Sequence, residues 1–241
     1  MRPPVLDFYL FNVAHGQCAA ARLPNGRWCV FDAGGNESFS PLRWIVEKET
    51  GTDPGSLSGL FILPYFRFLK GTISHLHGDH LYHWRTLLDH GPEYLRTVTL
   101  DRDYLTDVGA SSTPQSLQTI LEFSETQLSQ FGAPGAHAVD YGGARIAELD
   151  LGVSIARSIG STPNSRVNNS SVVSRLDCYG NSILLCGDLE TEGWRYALGR
   201  SFRRAEEWRR LVSNVDILVA PHHGHTAGFS AELLALAIPR V

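Results

Sequence analysis

The chain of 241 residues is 43% hydrophobic and 19% charged, too apolar for a disordered polymer and long enough to bury one substantial core. A formal net charge of −4 argues against a surface that coats nucleic acid, which needs many lysines and arginines, but leaves room for a compact anionic ligand. The four cysteines, Cys18, Cys29, Cys178 and Cys186, stand in apolar runs without C-x-x-C spacing, which excludes a disulfide framework and a cysteine-ligated zinc site.

The start, MRPPVLDFYLFNV, has neither the basic region nor the apolar core of a secretion signal. Leu57 to Leu69, broken by Pro64 and Arg67, is far shorter than the ~20 apolar residues that span a bilayer. The expected location is the cytoplasm, with no membrane anchor. Strand-like LDFYLFN, QCAAARL and RWCVFDAGG follow one another, with Pro24-Asn25-Gly26 as a turn, so the chain opens as a β-meander. Ser40 and Pro41 then supply a cap and a first helical residue for the amphipathic LRWIVEKE.

A short strand, GTIS, leads into His75, and from Asp79 the spacing of Leu81, Trp84, Leu87 and Leu88 predicts a helix ended by Gly91-Pro92. Residues 101–143 hold one predicted helix, Pro114 to Phe131, within polar and Gly/Pro-rich flanks, and read as an insertion over the sheet. The second half returns to strands with ARIAELD, VSIARS, SVVSRLDC and SILLCGD. A helical stretch from Glu190 to Asn214, a strand DILVA and a helix over Ala231 to Ala237 complete it. The basic run Phe202 to Arg210 alternates with Glu206 and Glu207, the pattern of a solvated helix face rather than a phosphate-binding rim. Strands in both halves with helices outside them predict an α/β fold, a single-domain αββα sandwich over residues 1–241.

The chemistry is concentrated in Ser74-His75-Leu76-His77-Gly78-Asp79-His80, where three imidazoles and a carboxylate converge at a strand-to-helix turn. Neutral imidazole and carboxylate suit zinc, manganese or iron, and such a set is costly to bury without partners. Two more donors end later strands: Asp188 after SILLC, and the pair His222 and His223 after DILVA. Asp188 alone also reads as a helix cap before LETEGW, but in combination these residues form a metal-site pattern.

These segments resemble the metallo-β-lactamase superfamily, and more closely its ComEC-like branch, hydrolase domains tied to bacterial competence DNA uptake. The resemblance rests on FNVAHGQCAAARLPNGRWCVFDAGG, SHLHGDH, VNNSSVVSRLDCYGNSILLCGDLE and VDILVAPHHGH, and covers nearly the whole chain. It implies the metallo-β-lactamase fold and two divalent ions, zinc or manganese. His75 and His77 would hold one ion, Asp79 and His80 the second, and Asp188 would bridge them. His222, with His223 as the alternate, would complete the second site. Asp32 matches a motif that orients the histidine turn, while Asn168, Asn169 and Ser171 match a branch motif that either contacts substrate or braces strands.

Three departures from the family pattern stand out. No histidine from the middle of the chain completes the first site, which is then weak or empty; His90, at a helix end, and His137, in a Gly/Pro loop, are poor substitutes. His15 replaces a small residue of a glycine-rich turn and either lines the pocket or caps that turn. His83 and His225 are assigned to the surface or the pocket rim. Relatives also continue through a further strand where this chain stops, so the C-terminus is read as truncated.

The function implied is a metal-dependent hydrolase of the phosphodiesterase or nuclease type acting on a nucleic acid or nucleotide, with Asp79 and Asp188 catalytic. The competing readings are hydrolysis of a lactone, thioester or amide, and a non-catalytic, metal-stabilised binding module of a DNA-uptake or defence system. Protein partners are not indicated.

Overall fold

The computed structural model describes residues 5–51, 66–98, 101–131, 139–140 and 143–240, with backbone alone at 127–131 and 139–140. His137 and the greater part of Leu57 to Leu69 lie outside the described residues. Two five-stranded sheets form the centre. The first orders β1 (Asp7–Leu10), β2 (Ala19–Arg22), β3 (Trp28–Phe31), β4 (Lys70–Thr72) and β5 (Tyr94–Arg96); β1 to β3 are antiparallel, and β3, β4 and β5 run parallel. The second, read from its other edge, orders β6 (Val139–Asp140), β7 (Ala144–Leu149), β8 (Val173–Cys178), β9 (Asn181–Leu185) and β10 (Ile217–Val219); only β9 and β10 are parallel.

Strand alternation builds the layers, because successive side chains point to opposite faces. Ala19, Ala21, Cys29 and Phe31 of the first sheet meet Ile146, Leu176, Ile183 and Leu185 of the second in a central core. The intervening residues Ala20, Trp28 and Val30 face outward, onto helices α1 (Pro41–Thr50), α3 (Trp84–Asp89), α4 (Arg102–Ser111) and α5 (Pro114–Phe131). Val173 and Leu184 face the other way, onto α8 (Thr191–Leu198), α9 (Ala205–Val212) and α10 (Ala231–Ala237), whose Trp194, Trp208 and Leu233 are buried. Three apolar cores separate four layers, and the predicted αββα sandwich is the architecture found.

The central core also contains an ion pair, Lys70 Nζ to Glu148 Oε2 at 2.9 Å, with each side chain only 2% exposed. Thr72 Oγ1 donates to Glu148 Oε1 at 2.6 Å, so a charge network links β4 to β7 across the sandwich. At the next level Arg96 pairs with Asp150. The four cysteines are free and buried, as their apolar surroundings predict.

Several elements differ from the sequence reading. VSIARS is not a strand: Val153, Ala156 and Ile159 recur at helical spacing, and the segment is α6 (Val153–Ile159), entered through Gly152 at φ 80°. Thr162 and Pro163 start a helix not foreseen, α7 (Pro163–Asn168), in which Thr162 accepts from the Ser165 N–H. The insertion holds two helices, α4 and α5, rather than one, and the stretch after Glu190 breaks into α8 and α9 at Gly199. On α9, Arg209 pairs with Glu206 and Arg204 with Glu207, the mixed-sign face expected there. No described helix is long and apolar enough to cross a membrane.

Candidate metal centre

Four strands deliver their C-terminal ends to one side of the sandwich. Asp32 follows β3, Ser74 and His75 follow β4, Asp188 follows β9, and Pro221 to His223 follow β10. The parallel pairs β3/β4 and β9/β10 place these loops side by side, and α2 (Gly78–Leu81) begins within the histidine turn. Gly187 is required where the second sheet reaches the first: at φ +53°, a Cβ there would lie 2.8 Å from Ser74 Cβ and 3.0 Å from Ser171 Cβ. Gly34 lies against the backbone of Gln17 and Asp79, where a Cβ would come within 2.5 Å of Asp79 O.

Asp32, 1% exposed, organises the turn. Its Oδ1 accepts the Ser74 N–H at 2.6 Å, and its Oδ2 accepts from Ser74 Oγ at 2.9 Å and from His80 Nδ1 at 2.9 Å. His75 Nδ1 faces Ser74 Oγ at 3.0 Å and Ser171 Oγ at 3.3 Å. With both Nδ1 atoms so engaged, Nε2 of His75 and of His80 is left to face the centre, the arrangement a ligating imidazole needs.

The donor atoms fall into two overlapping groups. His75, His80 and Asp188 form one set, Asp79, His80 and His223 the other, each with ligand atoms within 4.8 Å of one another. His77 Nδ1 lies 3.0 Å from His75 Nε2. Asp188 lies between: its Oδ2 is 3.8 Å from His75 Nε2 and 3.3 Å from His223 Nε2, and its Oδ1 is 3.4 Å from His80 Nε2. His223 Nε2 reaches Asp79 Oδ2 at 3.5 Å and His80 Nε2 at 3.3 Å. The sequence reading favoured His222 beside Asp79 and His80; the residue that faces them is His223. The reason is local, since His222 and His223 both take left-handed backbone conformations beyond β10 and the second of them is turned towards Asp79.

His222 and His223 both adopt left-handed backbone conformations, at φ 51° and 53°. Such conformations cost non-glycine residues about 1–2 kcal/mol each. The strain is held by His222 N–H to Gly187 O at 2.9 Å and His225 N–H to His222 O at 2.7 Å.

The electrostatics are those of a cation site. Burial, joined by the charge of His80, holds His77 down at about 4, and burial pushes His75 well below the ordinary range. Burial opposes charge on Asp79 and Asp188, but hydrogen bonds from His223 together with His75 and His80 hold both carboxyls below their usual range. Against burial, Asp32 and Asp188 raise His80, and hydrogen bonds to Asp188 and Asp79 raise His223 to about 9. In the protein alone, His80 and His223 are thus both biased towards the charged form by the carboxylates beside them.

The donor set also fits a metal. Two nitrogens each ~2.0–2.1 Å from a tetrahedral zinc lie roughly 3.3 Å apart, close to the approaches above. Nε2 of His77 is buried without a hydrogen-bond partner among the described residues, and an imidazole nitrogen left so is costly unless something else engages it.

A cleft of ≈ 660 Å³ opens onto this centre. One wall is the α4–α5 turn with Ser111, Ser112, Thr113 and Ser116, joined by Asn164 and Asn168 of α7; the other is His15 and the residues from His222 to His225. The insertion thus supplies part of one wall. His15 lines it rather than capping its turn, with Nε2 3.5 Å from Asp79 Oδ2, and His225 lies on the rim. His90 packs against Phe66 and Phe68, and His83 against Phe39 O, both outside the cleft lining.

The Asn-Asn-x-Ser segment divides its work. Ser171 Oγ accepts the Asp188 N–H at 3.0 Å, while Asn168 and Asn169 donate to Glu190 at 2.8 Å and 3.3 Å. Asn168 keeps its Oδ1 unpartnered among the described residues, in the cleft wall. Glu190 and the hydroxyl of Ser74 were not singled out from sequence. Ser74 stands inside the SHLHGDH motif and could have been found; Glu190 is identified only by the helix, α7, that brings the asparagines to it.

No protein-family model and no curated protein matches the chain. Solved structures similar to it include human tRNase Z, short form, at 15% identity over 98% of this chain and 89% of that one, with a TM-score of 0.47. A HARLDQ-motif mutant of a metallo-β-lactamase from Cronobacter sakazakii is 14% identical over 90% and 77% of the two chains, with a TM-score of 0.45. CmlA, a diiron β-hydroxylase from Streptomyces venezuelae, is 14% identical over 97% of this chain, with a TM-score of 0.44, and this chain spans 43% of its length. The αββα sandwich itself stands on the three apolar cores and the strand order described above.

Proposed function

We propose that the chain is a metal-dependent hydrolase that cleaves a phosphodiester in a nucleic acid or nucleotide. The observation that carries this reading is the position of Asp188, 3.8 Å from His75 Nε2 on one side and 3.3 Å from His223 Nε2 on the other, at the floor of an open cleft. In this reading Asp79, His80 and His223 hold one divalent ion, His75 and His77 the other, and Asp188 is shared. Bound zinc or manganese would neutralise phosphate charge and bring the pKa of water towards neutrality.

The remaining work falls to the chain. Asp79 Oδ2 faces the cleft and takes the proton of the attacking water. Asp32, through Ser74 and His80, fixes the turn that carries the donors. The hydroxyls of the α4–α5 turn orient the substrate. The ComEC-like branch, a cytoplasmic setting and a single domain over the whole chain belong to the same proposal.

The test is hydrolysis of bis-p-nitrophenyl phosphate by protein loaded with zinc or manganese. Wild type turns over and Asp188→Asn does not; equal rates in both exclude the assigned centre. One observation favours a second substrate class: among the described residues the cleft lining carries no lysine or arginine, which suits an uncharged lactone, thioester or amide. Such esters in the same assay separate the two, and bound metal without turnover of any substrate would instead mark a binding module.

A further inference from the structure

We propose that the consecutive histidines of the Pro221–Gly224 loop serve different ions: His223 belongs with Asp79 and His80, and His222 supplies the third imidazole for the ion of His75 and His77. This rests on the metal-centre reading above and assigns a third imidazole to that ion from among the described residues. His222 Nε2 lies 3.8 Å from Asp188 Oδ2, the same oxygen that stands 3.8 Å from His75 Nε2. Both histidines approach that oxygen, but of the two His223 is the one that also lies against Asp79 and His80, which leaves His222 for the other ion. The ring centroids of His222 and His223 are 6.2 Å apart and inclined at 70°, so the two rings point to different places from adjacent residues.

The left-handed backbone at both positions is what divides them, since an extended strand end would turn one of the two away from the centre. On its far side, His222 Nδ1 faces Glu190 Oε1 at 4.0 Å. That carboxylate is itself held by Ser165, Asn168 and Asn169. A carboxylate behind a ligating imidazole sets its tautomer and raises its basicity, and Glu190 becomes a positioning residue for His222. The Asn-Asn segment thereby acquires a purpose: it aims Glu190.

The experiment measures metal content after equilibrium dialysis against zinc, together with the visible spectrum of cobalt-substituted protein. His222→Gly and His223→Gly suit the left-handed positions without strain, and His222→Asn serves as a second form. Wild type is expected to retain two ions per chain, and each glycine variant one. Pairing separates the sites: His222→Gly with His77→Ala still retains one ion, whereas His222→Gly with Asp79→Ala retains none. Glu190→Gln weakens only the His222 ion, by roughly 10-fold. His222→Gly and His222→Asn that keep both ions at wild-type affinity, or a His222→Gly/His77→Ala protein that keeps neither, overturn the assignment. Wild type that binds no ion at all overturns the underlying metal centre as well.

Discussion

Asp32 Oδ2 lies 2.9 Å from His80 Nδ1, joining the end of β3 to the histidine turn in a contact almost sealed from water. Replacing Asp32 by Ala leaves the Ser74 N–H and the His80 Nδ1–H buried without their acceptor. Metal affinity is expected to fall about 10–100-fold, with a lower melting temperature in the metal-free protein. Chelator competition and thermal unfolding check both, and an unchanged affinity means that Asp32 does not position the ligands.

Gly187→Ala should act on the same centre from the other sheet. The added Cβ meets Ser74 Cβ at 2.8 Å, in a backbone conformation at φ +53° that alanine disfavours. A loss of more than about 1 kcal/mol is expected, together with weakened metal binding as Asp188 is displaced. Urea unfolding with wild-type stability would show that the loop relaxes freely.

The buried pair Lys70–Glu148 gives a prediction independent of the metal. Removing one partner leaves an uncompensated charge between the sheets and costs about 3–5 kcal/mol. Lys70→Met alone should therefore destabilise more than Lys70→Met combined with Glu148→Leu. Denaturant unfolding compares them, and a double variant less stable than the single one contradicts this view.

In the metal-free protein His80 and His223 are raised while His75 and His77 are lowered, so both limbs of the pH profile carry histidine contributions, and His223 and His77 are the two to test. His223 is raised from 6.5 to about 9, so its contribution is complete below its unfolded value and is lost as pH climbs through about 9. His77 is lowered from 6.5 to about 4, so its contribution is complete above 6.5 and is lost as pH falls towards about 4. Melting temperatures of chelated protein should fall on both sides of neutrality. His223→Gln should make the alkaline limb shallower, and His77→Gln the acid limb; identical profiles for all three proteins reject these assignments.

Much of the sandwich was legible because alternation and turns are local: Pro24-Asn25-Gly26, the Ser40 cap and α10 lie where their residues predict. The ligand-bearing loops were legible because the donors cluster at strand ends. What failed was period and reach. VSIARS mixes β-branched residues with helical spacing, and burial of Val153 and Ala156 decides for helix. The choice between His222 and His223 depends on two left-handed residues, and no hydrophobic pattern records these. The cleft wall formed by the α4–α5 turn depends on how an insertion packs over a distant loop, a contact the sequence of either part does not encode alone.

An anomalous-scattering map of crystals grown from zinc- or manganese-loaded protein bears most directly on the shared-carboxylate centre. Two peaks flanking Asp188 are expected, one beside His75 and His77 and one among Asp79, His80 and His223. A map with no peak within coordination distance of Asp188, or with ions bound only elsewhere on the chain, contradicts it.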